Sequence, residues 1–510
     1  MIVNITTPLK SLSLAALLAA SVAFPVIAAT PADTFVIARN TADAITLDPA
    51  ECFEFTGSRI VANIYERLFL FEPDDLTKLV GGIAESYEFS EDGKKITVKL
   101  RPGLTFHSGN PVTSADVAYS LSRAVKLDKT PAFIIKQIGW TADNVDDAVV
   151  AVDDSTVEIN ILADLSPALV LNLLSSSVAS IVDMKEVQSH EVDGDMGYAW
   201  LKDNSAGSGP YKLQTWKANE VVMLEAFDDY RQGKPAMNRV VIRHVAEPSA
   251  QRLLLEKGDV DAAMELTADQ LKGLSGNADV SAESYPKGYL MYLASNMDHP
   301  VLSKPEVREA LKYMVDYDGM VGAFLDGQYK IHQNFWPSGM WAAATDTPYS
   351  YNMDKAKALI ADAGLDGDTK ITIDTLNKSP FTEVAQSVQA SLKELGIDSE
   401  IILSDGATLW PKYRARKHEL IVARWGPDYS DPHSNADAFA HNPNNDFEAK
   451  LTGKLTWRNA WPADGLTKLT DQAAAESDPE IREELYAKLR TRPSTRPLLN
   501  MPDWPAVRFS

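Results

Sequence analysis

The sequence predicts an α/β protein built as two or more lobes, and three observations predict it. A chain of 510 residues exceeds what one hydrophobic core organises. Its 45% apolar and 24% charged content is that of a globular protein. Period-two apolar runs alternate with amphipathic helical runs along most of its length, with glycine and proline between them.

The elements follow in order. Residues 34–38 read as a strand, 44–49 as an extended turn and 58–70 as a helix with Ile60, Ile64 and Leu68 on one face. Residues 82–121 are the most legible stretch. Strands at 87–90 and 95–100, the second carrying Ile96, Val98 and Leu100 at period two, flank the turn Glu91-Asp92-Gly93. Arg101-Pro102-Gly103 stops the hairpin, because proline has no N–H to donate. Thr113, Ser114 and Asp116 then suit the cap and first turn of a helix from about Ala115. A second hairpin is predicted at 148–152 and 156–162, and strands at 221–226 and 240–243. A helix at 250–257 ends at Gly258, and one at 354–360 ends at Ala363-Gly364. Strands at 371–375, 399–403 and 419–423 alternate with a helix at 381–395.

The formal charge of −22 argues against nucleic acid or an anionic membrane as partner. At the amino end, Lys10 precedes an apolar run from Leu12 to Ile27, broken by Pro25 and followed by Ala28 and Ala29. This predicts a secretory signal peptide over 1–29. The run is short for a bilayer and carries Ser13, Ser21 and Pro25, and no comparable stretch follows, so no membrane insertion is predicted. Cys52 is the only cysteine and lies beyond the predicted cleavage site, which excludes an intrachain disulfide and a lipidated mature amino terminus. A free secreted protein of this kind is expected in the periplasm.

Catalytic signatures are missing. None of the eight histidines lies in an H-E-x-x-H pattern. The turn Gly207-Ser208-Gly209-Pro210 has no Lys-Ser/Thr pair opening a helix, and Pro210 stands where a nucleophile elbow has its last glycine. Asp143, Asp146, Asp147, Asp153 and Asp154 lack the spacing of a calcium loop and read as surface and turn acids. His433 and His441, with Asp431 and Asp437 nearby, are the single faint metal possibility. The expectation is a protein that is not an enzyme and carries no catalytic residue, metal or cofactor. A secreted hydrolase with dispersed residues is the remote alternative.

Several blocks recur in a fixed order between Val36 and Leu489. They are Asn63 with Tyr65, Glu66 and Leu68; the 82–121 segment; Gly207-Ser208-Gly209-Pro210-Tyr211; Gly258-Asp259-Val260-Asp261; Asn296 with Pro300; and 307–311 and 354–364. Together they resemble the family 5 extracytoplasmic solute-binding proteins, the dipeptide- and oligopeptide-binding receptors of ABC importers. The resemblance implies a periplasmic binding protein fold with two main lobes, an extra subdomain, and a hinge that closes the lobes over a ligand in the cleft. It divides the chain into lobe I at 30–78 and 186–286, the subdomain at 79–185, lobe II at 287–480, and a return to lobe I at 481–510, so that the chain crosses between lobes twice. It places the Leu47-Asp48-Pro49 element at the ligand-facing edge of lobe I. The partners it implies are a short peptide and an inner-membrane permease with its ATPase subunits, the receptor being a monomer. Opines, glutathione, nickel chelates and oligosaccharides are the alternative ligands.

In peptide-binding members an aspartate three residues after a tryptophan pairs with the ligand's α-amino group, and Asp428 after Trp425 matches that position. A desolvated ammonium needs such a carboxylate, and a tryptophan walls the first side chain. Arg424, Lys412, Arg414 and Arg416 are the nearby cations for the ligand's carboxylate, and Trp336 and Trp341 are further pocket candidates. The carboxyl end departs from the family, whose members continue a helix like 481–489 into an apolar strand and then a stretch returning to lobe I. Here Arg490-Thr491-Arg492-Pro493 opens a run with Pro497, Pro502 and Pro505 and no period-two apolar pattern. The expectation is a gene truncated or shifted out of frame near codon 490, with no central strand beyond it.

Overall fold

The computed structural model describes residues 30–72, 75–283, 288–365, 369–490 and 506–509. Strand β1 (Thr34–Arg39) opens lobe I. Strands β2 (Phe69–Glu72) and β3 (Asp75–Gly81) form an antiparallel ribbon. Strands β4 (Ala84–Phe89), β5 (Lys95–Leu100), β6 (Val149–Asp153) and β7 (Thr156–Asn160) make a sheet ordered β4-β5-β7-β6. The chain then returns to lobe I with β8 (Tyr211–Lys217), β9 (Val221–Ala226), β10 (Arg239–His244) and the short β11 (Ala262–Ala263), which join β1 in the order β11-β1-β10-β9-β8. Lobe II holds β12 (Leu290–Ser295), β13 (Lys370–Leu376), β14 (Asp398–Ser404), β15 (Leu420–Trp425) and β16 (Ala506–Phe509), ordered β14-β13-β15-β12-β16.

Local chemistry accounts for most of these elements. Asp116 accepts from both the N–H and the hydroxyl of Thr113, at 2.8 and 2.6 Å, and fixes the start of the helix Ser114–Leu127. That helix buries Val117, Leu121, Ala124 and Val125 in one core with Ile96 and Val98 of β5. In lobe II, β12 and β15 are covered on both faces: Met291, Leu293 and Val422 enter one core, and Tyr292, Ile421 and Ala423 another.

Tertiary contacts overrode the sequence pattern in three places. The helix expected over 58–70 is the shorter Phe55–Ile64, and the chain is extended at Tyr65. The reason is the glycine turn packed against its end: Gly209 N–H donates to the Ile64 carbonyl at 2.8 Å. A Cβ on Gly207 would lie 2.1 Å from that same oxygen. Tyr65 is buried, and Glu66 turns inward to an ion pair with Arg231.

Asp48 corrects a second expectation. Instead of facing a ligand it is fully buried, and both its oxygens accept from Arg123, at 2.8 and 2.6 Å.

The third correction concerns the carboxyl end. The helix Pro479–Arg490 sends Tyr486 and Leu489 into the lobe II core, and β16 pairs antiparallel with the free edge of β12, Met291 opposite Phe509. Among the described residues the chain therefore crosses from lobe I to lobe II once, and neither segment returns to lobe I. A four-residue edge strand supplies backbone bonds to β12 without the long apolar run that the sequence lacks. The proline-rich residues 491–505 lie outside the described residues.

Candidate functional site

The charged residues that face one another across the lobes follow the carboxyl ends of parallel strands. In lobe I, β1 runs parallel to β10 and β11. Arg39 ends β1, Asp43 follows it, and Glu265 follows β11. In lobe II, β13 runs parallel to β15. Lys378 follows β13, while Arg424 and Trp425 end β15 with Asp428 in the next loop. Ligand sites in open α/β sheets lie at these ends, where loops diverge and backbone groups are free.

Rings and charges connect the two sides. Phe55 of lobe I lies 4.7 Å from Tyr289, centroid to centroid. Arg59 Nη2 donates to the Tyr289 hydroxyl at 3.2 Å. The Arg424 guanidinium stands 4.6 Å from each of those two rings. Arg414 reaches Glu54 across the cleft at 3.6 Å. Gly426 is required here, because a Cβ would meet the Tyr289 ring at 2.8 Å and Phe55 at 3.1 Å.

Asp428 sits in a short loop before the helix Pro432–Ala440, and its N–H donates to Ser434 Oγ at 2.8 Å. Its carboxylate has no hydrogen bond or ion pair among the described residues. Burial pushes that carboxyl up to about 8, the Arg458 charge opposing and Asp437 adding to the rise. Trp425 is buried, edge-on to Phe439, and its indole N–H has no partner. Arg458 stacks 6.0 Å from Trp425 and leaves Nη2 unbonded. The result is a half-buried carboxylate in the loop that follows Trp425, an arrangement able to receive an ammonium.

The four nearby cations are no longer equivalent. Lys412 donates to the buried Asp374 at 2.5 Å, Arg414 is held by Glu54, and Arg416 bonds Asn445 and stacks 4.0 Å from Trp457. Of the four, Arg424 alone has no side-chain hydrogen bond or ion pair among the described residues, and its Nε is buried. Trp336 is corrected as a ligand contact. It is fully buried, donates from Nε1 to the Pro432 carbonyl at 2.8 Å and packs against Phe335 and Tyr486. Trp341 is half-exposed and lies against Tyr486 and Arg482.

His433 and His441 do not converge on a common point. His441 lies between Asp437 (Nδ1 to Oδ1, 2.9 Å) and Asp471 (Nε2 to Oδ1, 3.0 Å), and Lys454 pairs with Asp437. No group of three or more His, Cys, Asp or Glu among the described residues is placed to hold a metal. Three histidines, His433 among them, are kept neutral, chiefly by burial: His418 is lowered to about 3, and His433 and His107 to about 4. Below about pH 6.5 the unfolded chain takes up these protons first, so this contribution to stability falls as pH drops toward 4. Asp428, His441, Glu54, Glu66, Asp116 and Asp374 hold protons more tightly when folded and act in the opposite direction.

Comparison with known proteins gives the family of the chain. Residues 78–447 match the family described as bacterial extracellular solute-binding proteins, family 5 Middle. The chain belongs to the family 5 extracellular solute-binding proteins. It is 30% identical over 469 residues to the probable D,D-dipeptide-binding periplasmic protein DdpA of Escherichia coli, covering 91% of this chain and 87% of that one. It is 28% identical to the glutathione-binding protein GsiB of Pectobacterium atrosepticum, over 76% and 72% of the two chains. Among solved structures, the periplasmic binding protein DppA of Helicobacter pylori in complex with the peptide STSA superposes with a TM-score of 0.81 at 24% identity, covering 94% and 93% of the chains. As a family 5 protein this chain is a binder of solutes and not an enzyme. The sequence missed Lys378, Arg39, Glu54, Phe55, Tyr289 and Arg458 as cleft residues. Arg39 and Lys378 could have been flagged, because each lies at or just past the end of a predicted strand.

Proposed function

We propose that this protein captures short peptides in the periplasm, as a monomer, and delivers them to an inner-membrane ABC permease. The observation that carries the reading is the Asp428 carboxylate: half-buried, without a hydrogen bond or ion pair among the described residues, and three residues past the buried Trp425. A peptide's α-ammonium supplies the charge that it lacks, with Trp425 beside the first side chain and Arg424 as the cation for a carboxylate. The periplasmic assignment draws on the relative DdpA, which is named as periplasmic, and on the amino-terminal run from Leu12 to Ile27 read as a signal peptide. No helix among the described residues is long and apolar enough to cross a membrane. Native mass spectrometry of protein taken from the periplasm tests the ligand class. A co-purified peptide is the expected result, and a sugar or a metal complex would replace it.

Capture implies motion. Arg414 and Glu54, Arg424 and Phe55, and Lys272 and Asp326, the last pair 3.2 Å apart, meet across the lobes. A ligand that touches both lobes adds to these contacts, so closure is favoured when it is bound. Small-angle scattering is expected to give a smaller radius of gyration at saturating dipeptide than without it. An unchanged profile would remove hinge closure from the mechanism.

A further inference from the structure

We propose that Arg39, Arg59, Lys378 and Arg424 form an anion pocket that makes this receptor select short peptides with an acidic carboxyl-terminal residue. The inference rests on the peptide reading above and extends it from the ligand's amino end to its other end.

Four cations lie near one another with two carboxylates, Glu265 and Asp43, in range among the described residues, in a chain whose overall charge is −22. Lys378 lies within electrostatic range of Glu265, Arg424, Asp43 and Arg39, and Arg39 within range of Glu265, Arg59 and Asp43. Both carboxylates already have other duties. Glu265 accepts from the Asn40 N–H at 2.9 Å and stands 3.8 Å from Arg39. Asp43 accepts from the Thr56 N–H at 3.2 Å. Lys378 has no ion pair among the described residues, and its ammonium is 6.0 Å from the Phe381 ring. Arg424 shares that ring at 5.9 Å and also stands over Phe55 and Tyr289. The Nε atoms of Arg39 and Arg424 are both buried without a partner.

Uncompensated cations in a partly desolvated cleft are costly unless an anion arrives with the ligand. An excess of two positive charges matches two carboxylates, the α-carboxylate and an acidic side chain on the same residue. Arg424, at the end of β15, is four residues from Asp428 in the loop that follows, so a single short ligand spans the amine site and this pocket. The rings of Phe55 and Tyr289, tilted to one another, flank the Arg424 guanidinium while leaving its N–H groups for a carboxylate.

Calorimetry with alanyl-glutamate and alanyl-glutamine tests the pocket. The expected result is that wild-type protein binds alanyl-glutamate about 10-fold or more tightly, the range of one charge-assisted bond. The same preference is expected to vanish in the Lys378→Met, Arg424→Met double variant, and to shrink in Lys378→Met alone should the double variant fail to fold. Equal binding of the two dipeptides by wild-type protein overturns the anion pocket and leaves the peptide reading standing. Binding of neither overturns the peptide reading, and this inference with it.

Discussion

Asp428→Ala is expected to weaken dipeptide binding by about 10²- to 10³-fold or more, because removing one partner of a buried charge pair costs roughly 3–5 kcal/mol. The size follows from the setting. The Asp428 carboxylate is half-buried, and no hydrogen bond or ion pair among the described residues satisfies it. The ligand's ammonium would lose its water on closure and find no replacement in the variant. Isothermal calorimetry with a dipeptide and its N-acetylated form measures this. Wild-type protein should discriminate strongly between the two, and Asp428→Ala should not; equal affinity of wild-type protein for both removes the amine-binding role.

The same site predicts proton linkage. With its carboxyl raised to about 8, the unliganded site holds most of a proton at pH 7. An incoming ammonium favours the ionised form and expels that proton, so binding releases up to about one proton near neutrality and weakens as pH falls. Titration in two buffers of different ionisation enthalpy reads the proton count directly.

Arg482→Ala is expected to destabilise lobe II by about 3–5 kcal/mol, the loss typical of a broken buried ion pair. Arg482 meets Asp431 through two bonds of 2.7 Å, and both side chains are about 5% exposed. Arg482 Nε also donates to the Ala473 carbonyl at 2.9 Å. The pair ties the helix Pro479–Arg490 to the loop that carries Asp428, since Asp431 Oδ1 accepts from the His433 N–H at the start of the next helix. Ligand affinity should therefore fall together with stability. Urea unfolding of lobe II is the measurement, and a loss below about 1 kcal/mol, the range of an exposed pair, would mean that the buried bridge contributes little. Asp431→Asn combined with Arg482→Leu keeps a cap acceptor and removes both charges, so it should recover part of the loss.

What the sequence determined by itself is the part of this protein governed by neighbours along the chain. Glu91-Asp92-Gly93 between period-two runs places the β4–β5 hairpin, and Phe89 pairs with Ile96 across it. Thr113 and Asp116 start their helix, and the alternation of strands and helices yields the α/β lobes. Trp425 and Asp428 could be singled out in the sequence because they lie three residues apart, at the end of β15 and in the loop after it. What only the tertiary structure decided depends on partners far away in sequence. Trp336 is core because Pro432 and Tyr486 enclose it, and Asp48 is structural because Arg123 reaches it. The helix after Phe55 stops at Ile64 because Gly209 takes its carbonyl. The cluster of Arg39, Arg59, Lys378 and Arg424 draws on four separate segments, so no local pattern contains it. Burial sets the charge requirement of such a site, and burial arises only when those segments pack together.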